Sequence, residues 1–233
     1  MTETESTQEE QAAPLLDAVE ERVLGSLIEK AMTTPEYYPM SLNALTNACN
    51  QKTNRSPVVE FDDKTVARAL ESMREKGLVR IVSGADQRVP KYRHVFDEAM
   101  DLTEAQTAVL CELIVRGPQT VGELRGRANR MHAFDELSQV EVVLTELGER
   151  DTPAVKRLAR QPGRKESRYA HLLAGAIEDA DDGDEAERPL PAETATLEVR
   201  AENERVERLE ESVESLRGEV AELQLQTFRQ QFE

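Results

Sequence analysis

The sequence predicts a mainly α protein with small β-hairpins (α+β), arranged as two tandem winged helix-turn-helix domains, an acidic linker and a C-terminal coiled-coil helix. Three observations carry that prediction. Over residues 41–82 a short helical segment, a polar loop, an amphipathic helix stopped by Gly77 and a strand follow in winged-helix order. The same order returns before residue 174, and beyond residue 197 the apolar period becomes seven.

Residues 1–14 are acidic and poor in apolar side chains, the composition of a disordered arm. The first domain is expected over residues 15–97. Leu16, Val19, Val23, Leu24, Leu27 and Ile28 keep helical spacing and define one buried face of a helix reaching about Ala31. Pro35 and Pro39 break it. Ser41 then caps a second helix with Leu42, Leu45 and Cys49 inward. Asp62 or Asp63 opens a third, whose core stripe is Val66, Leu70 and Met73. LVRIV and KYRHVF read as the strands of a hairpin whose turn, the wing, carries Arg88 and Lys91.

A second domain is expected over residues 100–174, after a hinge, DEAMD. VLCELI echoes VLGSLI, and Thr103 with Gln106 forms a capping box. TVGELRGRANR repeats the second helix, and ELSQVEVVLTELGER the third, with Leu137, Val140, Leu144 and Leu147 as its buried stripe. AVKRLAR, QPGRKE and SRYAHLL repeat strand, wing and strand. Residues 175–196 hold eight acids, one base and two prolines, the pattern of a solvated flexible linker. Over residues 197–230, Val206, Leu209, Val213, Leu216, Val220 and Leu223 take a and d positions of a parallel coiled coil and predict a homodimer. The competing reading folds this helix back on the protein's own core.

The run PMSLNALTNACNQKTNRSPVV, residues 39–59, resembles the YceH-like family of bacterial proteins, and the likeness extends over residues 15–174. The resemblance implies two winged-helix domains and a bacterial source, and it carries no assigned activity, ligand or target. The acidic linker and heptad tail lie outside what it covers and read as additions of this lineage.

The net charge of −17 resolves by segment: −4 over residues 1–13, +1 over 14–95, −2 over 96–174, −7 over 175–196 and −5 over 197–233. The acidic excess therefore lies outside the two domains and does not exclude nucleic acid. No stretch approaches the roughly 20 apolar residues of a membrane span, and the acidic start is the reverse of a signal peptide, so a cytoplasmic protein with no membrane partner is expected. Cys49 and Cys111 read as buried thiols. His94, His132 and His171 read as surface or edge-strand residues with no catalytic spacing, and no phosphate-binding loop is present. The sequence implies no enzyme, no metal and no cofactor.

The candidate DNA-binding residues are Lys52, Thr53, Asn54, Arg55 and Ser56 in the polar loop, Lys64 and Arg68 on the third helix, Arg88 and Lys91 at the first wing, and Arg164 and Lys165 at the second. Hydroxyl, amide and cationic groups are the types that reach base edges and phosphates. The competing reading makes KTNRSP a loop packed on its neighbour, with Asn54 and Ser56 shaping turns. Glu71 and Glu75 oppose a deep fit against phosphate, and the second domain's third helix presents Ser138, Val142, Thr145, Glu146 and Glu149 without a base. Two functions follow from this pattern. One is a regulator binding duplex DNA mainly through the first domain; the other is a scaffold gripping a protein partner with no DNA contact.

Overall fold

The computed structural model describes residues 15–82, 89–160 and 166–175. Its architecture is mixed, with seven α-helices and small antiparallel sheets among the described residues. The order helix, helix, helix, strand, strand occurs twice: α1 (Ala18–Thr33), α2 (Leu42–Cys49), α3 (Asp63–Glu75), β2 (Val79–Val82) and β3 (Lys91–His94), then α5 (Glu104–Arg116), α6 (Val121–Ala128), α7 (Leu137–Gly148), β4 (Val155–Arg157) and β5 (Tyr169–His171). A two-residue strand, β1 (Met40–Ser41), and a short helix, α4 (Phe96–Met100), complete the set.

Each helix starts where its local chemistry requires. The Asp17 carboxylate accepts from the Val19 and Glu20 amides at 2.8 Å, and Glu20 returns the favour to the Asp17 amide at 2.8 Å. Ser41 caps α2, Asp62 rather than Asp63 caps α3, and Thr103 with Gln106 and Thr120 with Glu123 form the boxes of α5 and α6. Gly77 ends the third helix at φ +74°, a conformation that costs an L side chain dearly. Of residues 97–101, expected as a hinge, the first four belong to α4 and Asp101 follows its end. Phe96 is fully buried, and anchoring it winds the following residues into a turn of helix that Asp101 ends in the left-handed region.

The sheet of the first repeat has the order β1-β3-β2, with Met40 opposite Tyr92 and Val79 opposite His94. In the second repeat, β4 pairs β5, and Gln119, just before α6, bridges Tyr169 through hydrogen bonds of 3.0 and 2.8 Å. Gln119 thus takes the place of Met40, and Tyr169 that of Tyr92. His94 lies on a central strand and is buried, so it is neither the surface nor the edge-strand residue expected, while His171 is mostly buried on β5 of the two-stranded sheet.

One apolar core runs through both repeats. At its centre α1 packs on α5, and a Cβ added at Gly25 would stand 2.6 Å from Val115 Cγ1 and 2.8 Å from Ile114 Cγ2. The helix α1 is therefore buried all round rather than on the one face its spacing predicts: Glu20, Arg22, Ser26 and Glu29 are buried together with the apolar stripe. A spacing argument assigns one apolar face per helix, and here a second helix covers the other face. Leu137 departs from expectation in the opposite direction. It is the first residue of α7 and 47% exposed, while Val143 takes a place in the core beside Val140, Leu144 and Leu147. No helix among the described residues is long and apolar enough to cross a membrane.

Candidate functional site

Between α2 and α3 the loop is pinched at its base, where Asn50 Nδ2 donates to the Phe61 carbonyl at 2.7 Å and the Phe61 amide donates to Asn50 Oδ1 at 2.8 Å. Thr46 Oγ1 donates to Asp63 at 2.6 Å and ties α2 to the start of α3. Within this frame Lys52, Thr53, Asn54 and Ser56 lie on the surface. Arg55 does not. Its side chain is fully buried, paired with Glu29, and its guanidinium also donates to the Ala48 carbonyl at 3.1 Å. Asn54 sits at φ +59°, which lets the chain turn so that Arg55 points inward and the Ser56 amide donates to the Val115 carbonyl of α5 at 2.9 Å. Arg55 is therefore withdrawn from any phosphate-facing set, because the loop packs on α1 and α5.

The charge that Arg55 enters is a network at the junction of the two repeats. Glu29 of α1 also accepts from Arg130 at 2.6 Å; Arg130 reaches Glu112 of α5 at 2.8 Å, and Glu112 pairs with Arg116 at 3.0 Å. Arg116 donates to the Asn54 side chain and so closes the path back to the loop. Burial pushes the Glu29 carboxyl up, but hydrogen bonding and charge from Arg55, with Arg130, outweigh it and hold the group below its ordinary value. Arg22, also buried, donates to the Pro57 carbonyl at 2.6 Å, and burial followed by the charge of Arg55 lowers it to about 10. Sequence reasoning passes over Glu29 and Glu112, which lie within the first helix of each repeat. The available signal is a lone acid inside an apolar run, as in VLCELIVR.

On α3 the cations Lys64 and Arg68 are exposed. Burial would raise the Asp62 cap, but its bonds to Thr65 and the charges of Lys64 and Arg68 hold it low. Glu71 pairs with Arg74 at 2.6 Å, so it does not meet an incoming phosphate uncompensated. Lys91 is half-buried at the start of β3, opposite Ser41 and Val82, and Ile81 and Val89 flank the hairpin with 39% and 55% of their surface exposed. Arg88, Arg164 and Lys165, the arm, the linker and the heptad residues Val206, Leu209, Val213, Leu216, Val220 and Leu223 lie outside the described residues.

Superposing the core stripes Val66, Leu70 and Met73 on Val140, Leu144 and Leu147 makes Lys64 the equivalent of Ser138 and Arg68 the equivalent of Val142. These two positions are thus cationic in the first repeat and neutral in the second, where Val142 is 56% exposed. Arg125, Arg127 and Arg130 of the second repeat are engaged within the protein. Arg125 donates to the Phe134 carbonyl at 3.2 Å, Arg127 to Gln119 at 2.7 Å, and Arg130 belongs to the junction. Beside α7 an open cleft of about 420 Å³ is lined by Val121, Leu137, Glu141, Arg157, Arg160 and Tyr169.

Comparison with known proteins places this architecture among bacterial relatives. The chain is 55% identical to a UPF0502 protein of Pelobacter propionicus over 221 residues, covering 94% of this chain and 99% of that one. A UPF0502 protein of Geobacter sulfurreducens is 54% identical over the same shares, and one of Geotalea daltonii is 58% identical over 196 residues, 84% and 87% of the two chains. A match over 94% of the chain takes in residues beyond Gly175, so the aligned region extends into the segment that follows the second repeat. Residues 16–164 match the family described as "Protein of unknown function, DUF480", and the chain belongs to that family.

Proposed function

We propose that this protein is a non-catalytic, cytoplasmic DNA-binding protein whose two repeats are winged helices, and that it meets duplex DNA through the first of them. The order of three helices followed by two strands in each repeat supports this reading, since in that motif the third helix enters a major groove. The observation that carries the reading is the contrast between equivalent positions: Lys64 and Arg68 on α3 against Ser138 and Val142 on α7. Lys52, Thr53 and Lys91 extend the polar surface around α3, and Arg55 contributes by fixing the loop rather than by touching DNA. The heptad segment supplies a homodimer, which would present two such helices to successive half-sites.

The test is fluorescence anisotropy of the full chain with mixed-sequence duplex DNA over a range of salt. Binding is expected to weaken with a log–log slope of about −0.9 per phosphate contact. Replacing Lys64 and Arg68 by alanine is expected to lower both the affinity and that slope. No binding at low salt removes the reading. The scaffold alternative draws on the second repeat, where Leu137 and Val142 are exposed apolar residues on the equivalent helix. A stoichiometric protein partner lost on Val142→Glu would support it.

A further inference from the structure

The second hairpin and the segment that follows it carry opposite charge. Residues 155–171 hold six cations, Lys156, Arg157, Arg160, Arg164, Lys165 and Arg168, against the single acid Glu166. Residues 176–196 hold eight acids against Arg188. Only a few residues separate the two blocks, and the last described stretch of chain is fixed to both repeats: the Leu16 amide donates to the Leu173 carbonyl and the Leu172 amide to the Ala154 carbonyl. A tethered segment meets a surface this close at an effective concentration in the millimolar range. Twenty-one residues reach up to roughly 70 Å when extended, so the tether does not limit access.

The cleft beside α7 offers that segment a seat. Val121, Leu137 and Tyr169 form an apolar part, and Leu137 is left 47% exposed there. Arg157 and Arg160 stand on the hairpin side, both exposed and neither in an ion pair among the described residues. The acidic segment brings matching groups: carboxylates from Glu178 to Glu187, and Leu190 between two prolines, which reduce the entropy lost on ordering. Glu141 on the α7 side and Glu166 on the hairpin side also line the cleft, so the incoming carboxylates seat nearest Arg157 and Arg160 and away from those two acids.

We propose that residues 176–196 dock in cis on this cleft and along the β4–β5 hairpin, with the acids over Arg157 and Arg160 and an apolar side chain against Leu137. The segment then covers the cations of the second hairpin, and nucleic acid is left with the first repeat. The docking does not depend on whether the first repeat binds DNA, and its test uses none.

Hydrogen exchange read by mass spectrometry on the full chain decides it. Three proteins are compared at low and high salt: the native chain; a chain with Asp181→Asn, Asp182→Asn, Asp184→Asn and Glu185→Gln; and a chain with Arg157→Glu and Arg160→Glu. Both arginines are exposed, so the last variant keeps its fold, which a thermal melt verifies. At low salt, amides of residues 155–196 are expected to exchange several-fold more slowly in the native chain than in either variant, and high salt is expected to abolish the difference. A fourth chain joining Arg157→Glu and Arg160→Glu to Asp181→Lys, Asp182→Lys, Asp184→Lys and Glu185→Lys is expected to recover the protection. Equal exchange in the native chain and both variants overturns the proposal. Protection that grows with protein concentration assigns the cleft to a second copy and overturns it as well.

Discussion

The Cys111 thiol donates to the backbone carbonyl of Gly25 with Sγ 3.5 Å from the oxygen, and these two residues hold the same position in the two copies of the repeat, VLGSLI and VLCELI. Equivalent positions of the two repeats therefore meet where α1 packs on α5. The pattern extends outward. Lys76 Nζ donates to the Leu15 carbonyl at 2.9 Å, and its counterpart Arg150 donates to the Asp101 carbonyl at 3.3 Å. Glu20 accepts from Ser72 at 2.7 Å, where Gln106 donates to Glu146 at 2.9 Å. Burial pushes the Cys111 thiol well up, so it is packing material here rather than a nucleophile.

Gly25→Ala tests the crossing. The new methyl would need α1 and α5 to separate, since its Cβ would lie 2.6 Å from Val115. Overpacking of this kind costs about 1–3 kcal/mol, and at about 2–4 °C per kcal/mol the melting temperature should fall by several degrees in calorimetry. An unchanged melting temperature would mean that the helices are not in close contact.

Arg55→Ala strands Glu29 in the core beside Arg130 alone. Removing one partner of a buried pair costs about 3–5 kcal/mol, whereas Lys52→Ala in the same loop should stay within about 0.5 kcal/mol. Urea midpoints separate the two. Under conditions where Arg55→Ala remains folded, its DNA affinity should match the native chain, because Arg55 faces inward.

A pH series addresses Glu21, which stands 3.6 Å from His171 across the two repeats. Burial, with Asp17 beside it, pushes the Glu21 carboxyl up to about 7. The folded chain therefore holds this proton at pH values where the unfolded chain, with its carboxyl near 4.3, has lost it. The contribution of Glu21 to stability falls as pH rises from about 4.3 to 7 and is level above. Burial lowers His171 to about 4, and its contribution runs the other way, lost as pH falls from about 6.5 towards 4. Glu21→Gln removes only the first effect. Its urea midpoint should exceed that of the native chain by more at pH 8 than at pH 4.5, and an equal gain at both would assign the proton elsewhere.

Transplanting charge tests the division between the repeats. Ser138→Lys with Val142→Arg gives α7 the side chains of α3 and should raise DNA affinity at low salt, with a steeper salt slope in anisotropy. The same pair of changes leaves the folded core untouched, since both positions are exposed.

Leu137 and Leu144 differ in burial despite sharing the heptad-like stripe of α7. Leu144→Ala should cost about 2–5 kcal/mol, while Leu137→Ala should cost less than about 1 kcal/mol, as measured by denaturant unfolding. Similar losses at both would place Leu137 inside.

The α+β content, the order of elements, the caps at Ser41 and Thr103, the cap of α3 to within one residue and most of the core stripes were legible in the sequence, because each depends on residues within a turn or two of one another. Periodicity counts apolar residues and reports one face per helix. It has no means of registering that α1 is covered twice, or that an arginine in a polar loop turns inward to a glutamate 26 residues earlier in the chain. Those facts depend on α5 arriving from the second repeat. Composition and local spacing thus determined what the pieces are, through propensity, capping and turn chemistry. Only the tertiary structure decided which polar residues are sealed between the repeats and which remain at the surface, because burial of a charge is settled by the partners that distant segments bring to it.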